Sequence, residues 1–156
     1  MRALFARFAL VSASAAAPAL LPCTAHAETD ACSLLTPAQV SAVLGVAVGP
    51  GTHVTPTFFK TCTWTPTGSS DVRAVMVKAQ TSSFYDGAKQ KSTTMGLPMR
   101  SVSVGDDGFI ETAGQTTTLW SKKGPAALKV KVYAKRSADV LQTLELALAK
   151  QAARRL

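Results

Sequence analysis

Cys32 and Cys62 are the residues whose chemistry the spacing constrains most. One precedes a short capped helix, and the other sits inside a strand-like run, Thr61-Cys62-Thr63-Trp64. Neither has a Cys-x-x-Cys partner or an adjacent histidine, the settings that make a thiol reactive. A structural disulfide is the expected chemistry, with a free reactive pair as the competing reading. His53 is the other candidate for reactivity. A Ser-His-Asp relay would have to use it, yet no Gly-x-Ser-x-Gly elbow accompanies it, and a loop histidine is ordinarily solvated. Asp106 and Asp107 place two carboxylates in the Gly-bounded turn 105–108. The alternating ligand spacing of a calcium loop is absent, and bonded cysteines offer no thiolates to zinc, so no metal site is expected. Asp106 is expected to accept backbone hydrogen bonds within its own turn. No GxGxxG or GxxxxGK[ST] motif occurs, so no nucleotide and no cofactor is called for.

A third group is a row of cations. Lys129, Lys131 and Lys135 alternate with Leu128, Val130, Val132 and Ala134. On a strand, that spacing projects the ammonium groups from one side. Tyr133 falls in the same row. Trp120 lies on the strand before it, and Lys122 and Lys123 form the turn between them. Such a row suits an anionic small ligand or the acidic surface of an envelope protein. It equally suits a solvated face or a guarded sheet edge.

These residues need elements to hold them, and not all of the chain is available for that. Arg2 and Arg7 precede an apolar run at 8–21 and the triplet Ala25-His26-Ala27. That is the pattern of a secretory signal peptide over residues 1–27, with cleavage after Ala27. The run is too short to span a bilayer, and no later one approaches the required length. A lipidation reading centred on Cys23 meets Pro22 where Gly, Ala or Ser is wanted. Residues 28–156 then form a single domain, in which Cys32 and Cys62 have one pairing available in an oxidising compartment. The expected location is the periplasm or the exterior. The chain carries a formal charge of +8, of which Arg2 and Arg7 leave with the leader. The remaining Lys and Arg residues are spread without interleaved aromatics, so nucleic acid is not an expected partner.

Thr36-Pro37-Ala38-Gln39 predicts a helix start with a capping box, and Gly45 predicts its end. Strands are expected at 58–65, 72–80, 99–104, 109–112, 115–121 and 127–134. In the first of these, Trp64 shares a face with Cys62, so its ring is expected to cover the disulfide. A helix is expected within 82–95, capped by Ser82 or Ser83, with Phe84, Ala88, Lys91 and Met95 on one side. A last helix over 138–154 follows Ser137 and carries Val140, Leu141, Leu144, Leu148 and Ala152 as its apolar stripe, widened by Leu146. Short turns between strands predict an antiparallel sheet with helices packed on its faces, an α+β fold with one disulfide.

ACSLLTPAQVSAVLG, the CTW at 62–64 and VGDDGF at 104–109 resemble a broad group of small exported bacterial envelope proteins, many of them lipoproteins, of mostly unknown function. The resemblance implies a PsbP-like α/β sandwich and no catalytic residues. The function expected is a non-enzymatic binding or accessory module that contacts an envelope protein or a small ligand. The alternative is a small periplasmic hydrolase using His53 or the Asp106/Asp107 turn; the missing constellation of titratable groups weighs against it.

Overall fold

The computed structural model of the protein describes residues 29–156. The expected leader, with Cys23 and the cleavage point, lies outside the described residues. The elements run α1 (Pro37–Leu44), β1 (Thr52–His53), β2 (Thr61–Trp64), β3 (Val72–Thr81), α2 (Ser82–Thr94), β4 (Met99–Ser101), β5 (Asp107–Ala113), β6 (Thr116–Lys123), β7 (Ala126–Ala134) and α3 (Ala138–Ala152). Short 3-10 turns occupy Ala31–Ser33 and Ala153–Arg155. The strands form one antiparallel sheet in the order β1-β2-β3-β7-β6-β5-β4. The α+β class, with helices on the sheet faces, is as expected.

α1 starts where its local chemistry dictates. Gln39 N–H donates to Thr36 Oγ1 at 3.2 Å, and Thr36 N–H donates to Gln39 Oε1 at 2.9 Å. Gly45 closes the helix at φ +71°, a conformation that costs glycine little. Cys32 and Cys62 are disulfide-bonded. Gly51 presses against this bond, since a Cβ there would stand 2.6 Å from Cys62 Sγ and 2.9 Å from the Trp64 indole. Trp64 is fully buried, so its ring and the staple share one packing site.

β2 is shorter than expected. Phe59 O accepts from Ala31 N–H in the 3-10 turn, and Phe58 N–H closes a turn onto Thr55 O. Those backbone groups are therefore spent outside the ladder, and both rings remain about half exposed.

The alternation of β7 divides the sheet into two faces. Leu128, Val130 and Val132 face the main core beside their cross-strand neighbours Ala79, Val77 and Val75, and Leu119 of β6 joins them. α3 covers this face with Leu141, Leu148, Ala149 and Ala152, and α1 adds Val40 and Leu44. Each fully buried Leu or Val contributes roughly 1.5–3 kcal/mol.

The expected stripe on α3 is corrected at two positions. Val140 is 42% exposed, whereas Glu145 is fully buried. The reason is a break in the sheet. The β6–β7 ladder ends at Leu119↔Val130, and the next β7 amide in line, Val132 N–H, donates to Glu145 Oε1 at 3.0 Å. A carboxyl from the helix thus completes a sheet that one strand has left. Thr117 also favours the charged form, although its Oγ1 stands outside hydrogen-bonding geometry. Burial outweighs both and pushes the Glu145 carboxyl up to about 7.

The turn before β5 is fixed by a close approach. Gly105 has φ +69°, and a Cβ on it would lie 2.3 Å from Lys122 O. Asp106 does not cap its own turn as expected. Its Oδ2 accepts from Gly124 N–H at 2.7 Å, in the β6–β7 hairpin. Gly105→Ala combines left-handed strain with a backbone clash. It is expected to lower stability by about 2–3 kcal/mol in urea unfolding; a loss below about 0.5 kcal/mol would show that the turn yields freely.

Candidate functional site

The second sheet face is where the sequence placed its cations. α2 lies across part of it, held more by polar ties than by apolar packing. Lys89 Nζ pairs with Asp107 Oδ2 at 2.8 Å, Lys122 Nζ pairs with Asp86 Oδ1 at 3.1 Å, and Ser92 Oγ donates to Glu111 Oε2. The Lys89 bond holds the Asp107 carboxyl below its usual range. Under the start of the helix, Tyr85 is fully buried and meets Phe109 edge to face at 5.4 Å. Burial first, and Asp107 second, push the Tyr85 phenol well above its usual range. The helix N-cap is Thr81, whose side chain meets Ser83 Oγ at 2.8 Å rather than capping a backbone N–H, and not Ser82 or Ser83. β3 runs directly into α2 with no loop between them, so the capping position falls one residue early.

Beside α2 the face opens into a groove. One part, about 450 Å³, is lined by Ser83, Phe84, Gly87, Ala88, Lys91 and Trp120. A second part, about 210 Å³, shares Ala88, Lys91 and Trp120 and adds Met95, Leu97, Glu111 and Lys129 among others. Trp120 forms the common floor. Its Nε1–H donates to Glu111 Oε1 at 3.3 Å, so Glu111 ties both the indole and Ser92 of α2. Lys129 Nζ stands 4.8 Å from the Trp120 ring centroid, within cation–π range.

Lys129 is half-buried and directly opposes Lys78 across β3 and β7. Burial, then Lys78, lower the Lys129 pKa, and Glu111 only partly offsets them. Like charges facing each other on a sheet are destabilising. Among the described residues no carboxylate lies within ion-pair distance of Lys129. The groove therefore joins an apolar wall to a positive end that Glu111 compensates only in part.

Of the residues singled out in the sequence, Trp120 and Lys129 come together in this groove. Lys131 and Tyr133 continue along the same face, with Lys131 Nζ 5.3 Å from the Tyr133 ring, but neither lines the groove. Lys135 lies beyond the end of β7 and is exposed, its N–H donating to Asp71 O. The helical spacing of Phe84, Ala88, Lys91 and Met95 marked the groove wall itself. Glu111 and Ser92 carried no such signal, because a lone Glu in a strand and a lone Ser in a helix match no spacing pattern.

His53 and the acidic turn do not meet. β1 is one edge of the sheet and β5 is the sixth strand in order. His53 Nε2 lies 3.5 Å from Asp30 Oδ1, and Nδ1 lies 3.6 Å from Cys32 Sγ and 3.4 Å from Thr61 O. Among the described residues no hydroxyl hydrogen-bonds to His53. No family model matches the chain, and no curated protein or solved structure matches it.

Proposed function

We propose that the protein is an exported, non-enzymatic binding module whose ligand is a small amphiphilic anion seated in the groove beside α2. The observation that carries this reading is Lys129. It is half-buried, opposed by Lys78, with no carboxylate within ion-pair distance among the described residues, and placed at the end of a cleft floored by an indole. An anionic head at Lys129 relieves the Lys78–Lys129 repulsion, and an alkyl or aryl body takes the wall of Phe84, Ala88, Met95 and Leu97. Export is supported by the leader pattern of residues 1–27 and by the disulfide, a bond favoured outside the cytosol. The committed roles of Asp106 and Asp107 support the reading over the hydrolase alternative.

Laurate, used below its micellar concentration, is expected to change Trp120 fluorescence saturably. The trimethylammonium of the same chain length is expected to leave it unchanged. Trp64, fully buried elsewhere, supplies a constant background, and Trp120→Phe removes the signal. Lys129→Gln should weaken laurate binding by about tenfold, the worth of one charge-assisted contact. Added salt should weaken wild-type binding as it screens the pair. Equal binding of both detergents, or full affinity in Lys129→Gln, would exclude an anion site here.

A further inference from the structure

The geometry points to a zinc site masked by the disulfide, with Cys32, Cys62 and His53 as ligands and Asp30 orienting the histidine. Donor atoms of Asp30, Cys32 and His53 all lie within 4.8 Å of one another. Cys62 Sγ is not one of that group, but it is bonded to Cys32 Sγ and so stands one S–S bond from it. Cys32 Sγ to His53 Nδ1 is 3.6 Å. An S–N edge of a zinc tetrahedron is also about 3.6 Å, from the usual zinc–sulfur and zinc–nitrogen bond lengths. The other ring nitrogen, Nε2, faces Asp30 Oδ1 at 3.5 Å. A carboxylate on the far side of a ligating imidazole fixes the ring and raises its basicity.

The backbone already holds this set in place. His53 and Cys62 are cross-strand neighbours in the β1–β2 ladder. Cys32 lies in the 3-10 turn that Asp30 caps through its side chain, with Oδ1 accepting from Cys32 N–H at 2.8 Å. Ala31 N–H, donating to Phe59 O, ties that turn to the chain leading into β2. Two thiolates and one imidazole select zinc over magnesium or calcium, which want oxygen ligands. The site is closed while the S–S bond stands. A dithiol opens it by attack at Cys32 Sγ, since Cys32 is only half-buried and Cys62 is wholly so. The S–S bond breaks, two electrons and two protons pass to the protein, and the dithiol leaves as its own disulfide. Zinc then displaces both thiol protons to solvent. The metal closes the same loop that the S–S bond closed, so one cross-link replaces the other.

The test uses the protein reduced with a phosphine, which becomes its oxide by taking oxygen from water. Zn²⁺ is titrated against a chromophoric chelator, with circular dichroism recorded alongside. The reduced protein is expected to take one zinc per chain with native dichroism, holding the fold or restoring it. The oxidised protein is expected to take none. His53→Ala, reduced, should lose roughly a hundredfold in affinity, the share of one ligand in a small zinc site. Asp30→Asn, reduced, should lose about tenfold, as orienting carboxylates do. The proposal fails if the reduced protein binds no better than the oxidised one. It also fails if His53→Ala keeps full affinity, or if zinc binds without native dichroism, because two thiols of an unfolded chain would then suffice.

Discussion

Glu145→Gln is expected to stabilise the protein above neutral pH by on the order of 3 kcal/mol and to flatten its stability between pH 4.5 and 7. The wild-type carboxyl has its folded pKa raised from 4.5 to about 7. The folded state therefore holds the proton that the unfolded state has released. The stability this confers is complete below pH 4.5 and is lost as the pH rises through 7. Glutamine keeps an acceptor for Val132 N–H and carries no charge, so the loss disappears. Asp71 and Asp107 work in the opposite direction, because Arg136 and Lys89 lower their pKa values. Their stabilisation is present above the unfolded carboxylate pKa and fades only in acid, outside the window of Glu145. Urea unfolding at several pH values separates them. Parallel profiles for wild type and Glu145→Gln would mean that Glu145 is not held neutral by burial. Glu145→Ala should be destabilised below pH 4.5, because it leaves the buried Val132 N–H without its acceptor, a penalty of about 1–3 kcal/mol before any cavity is counted. Its deficit against wild type should shrink as the pH rises through 7, since alanine carries no charge either.

Replacing Cys32 and Cys62 together by alanine is expected to lower stability by about 3 to 4 kcal/mol, the chain-entropy value for the loop they close. The cysteines are 30 positions apart. The cross-link matters beyond that estimate because α1 has only eight residues, too few to persist alone. The urea midpoint should fall. A loss under about 1 kcal/mol would show that the α1 region is secured by its contacts with α3 and the sheet rather than by the bond.

The features legible in the sequence are those whose cause is local or exclusive. Thr36, Pro37, Gln39 and Gly45 write α1 within ten residues, and Cys62 is the one partner left to Cys32 once Cys23 is read as part of a leader. The alternation from Leu128 to Ala134 displays both faces of β7. Other features depend on partners far along the chain. Nothing near Glu145 tells that the β6–β7 ladder ends at Leu119, so a glutamate inside an apolar stripe reads as solvent-facing. Nothing near Phe58 and Phe59 tells that Phe59 O is claimed by Ala31. The row of lysines was visible, but the half of it that matters was not. That half depends on α2 crossing the sheet at Trp120, which is a property of strand order.

The strand order also sets when the molecule can exist. β5, β6 and β7 are consecutive and joined by tight turns, so they can pair as soon as they are made. β3 must wait. Its neighbour on one side is β7, in a register running from Val72↔Ala134 to Thr81↔Ala126. Closing that pair spans α2, β4, β5 and β6, and the loop entropy falls due before the contacts form. Until then Val75, Val77 and Ala79 present an apolar face with an unpaired edge, the kind of surface on which chains associate wrongly. The two longest strands thus form a seam that joins the early and late parts of the chain last, and a chain cut short of Ala126 has no partner for half of its core.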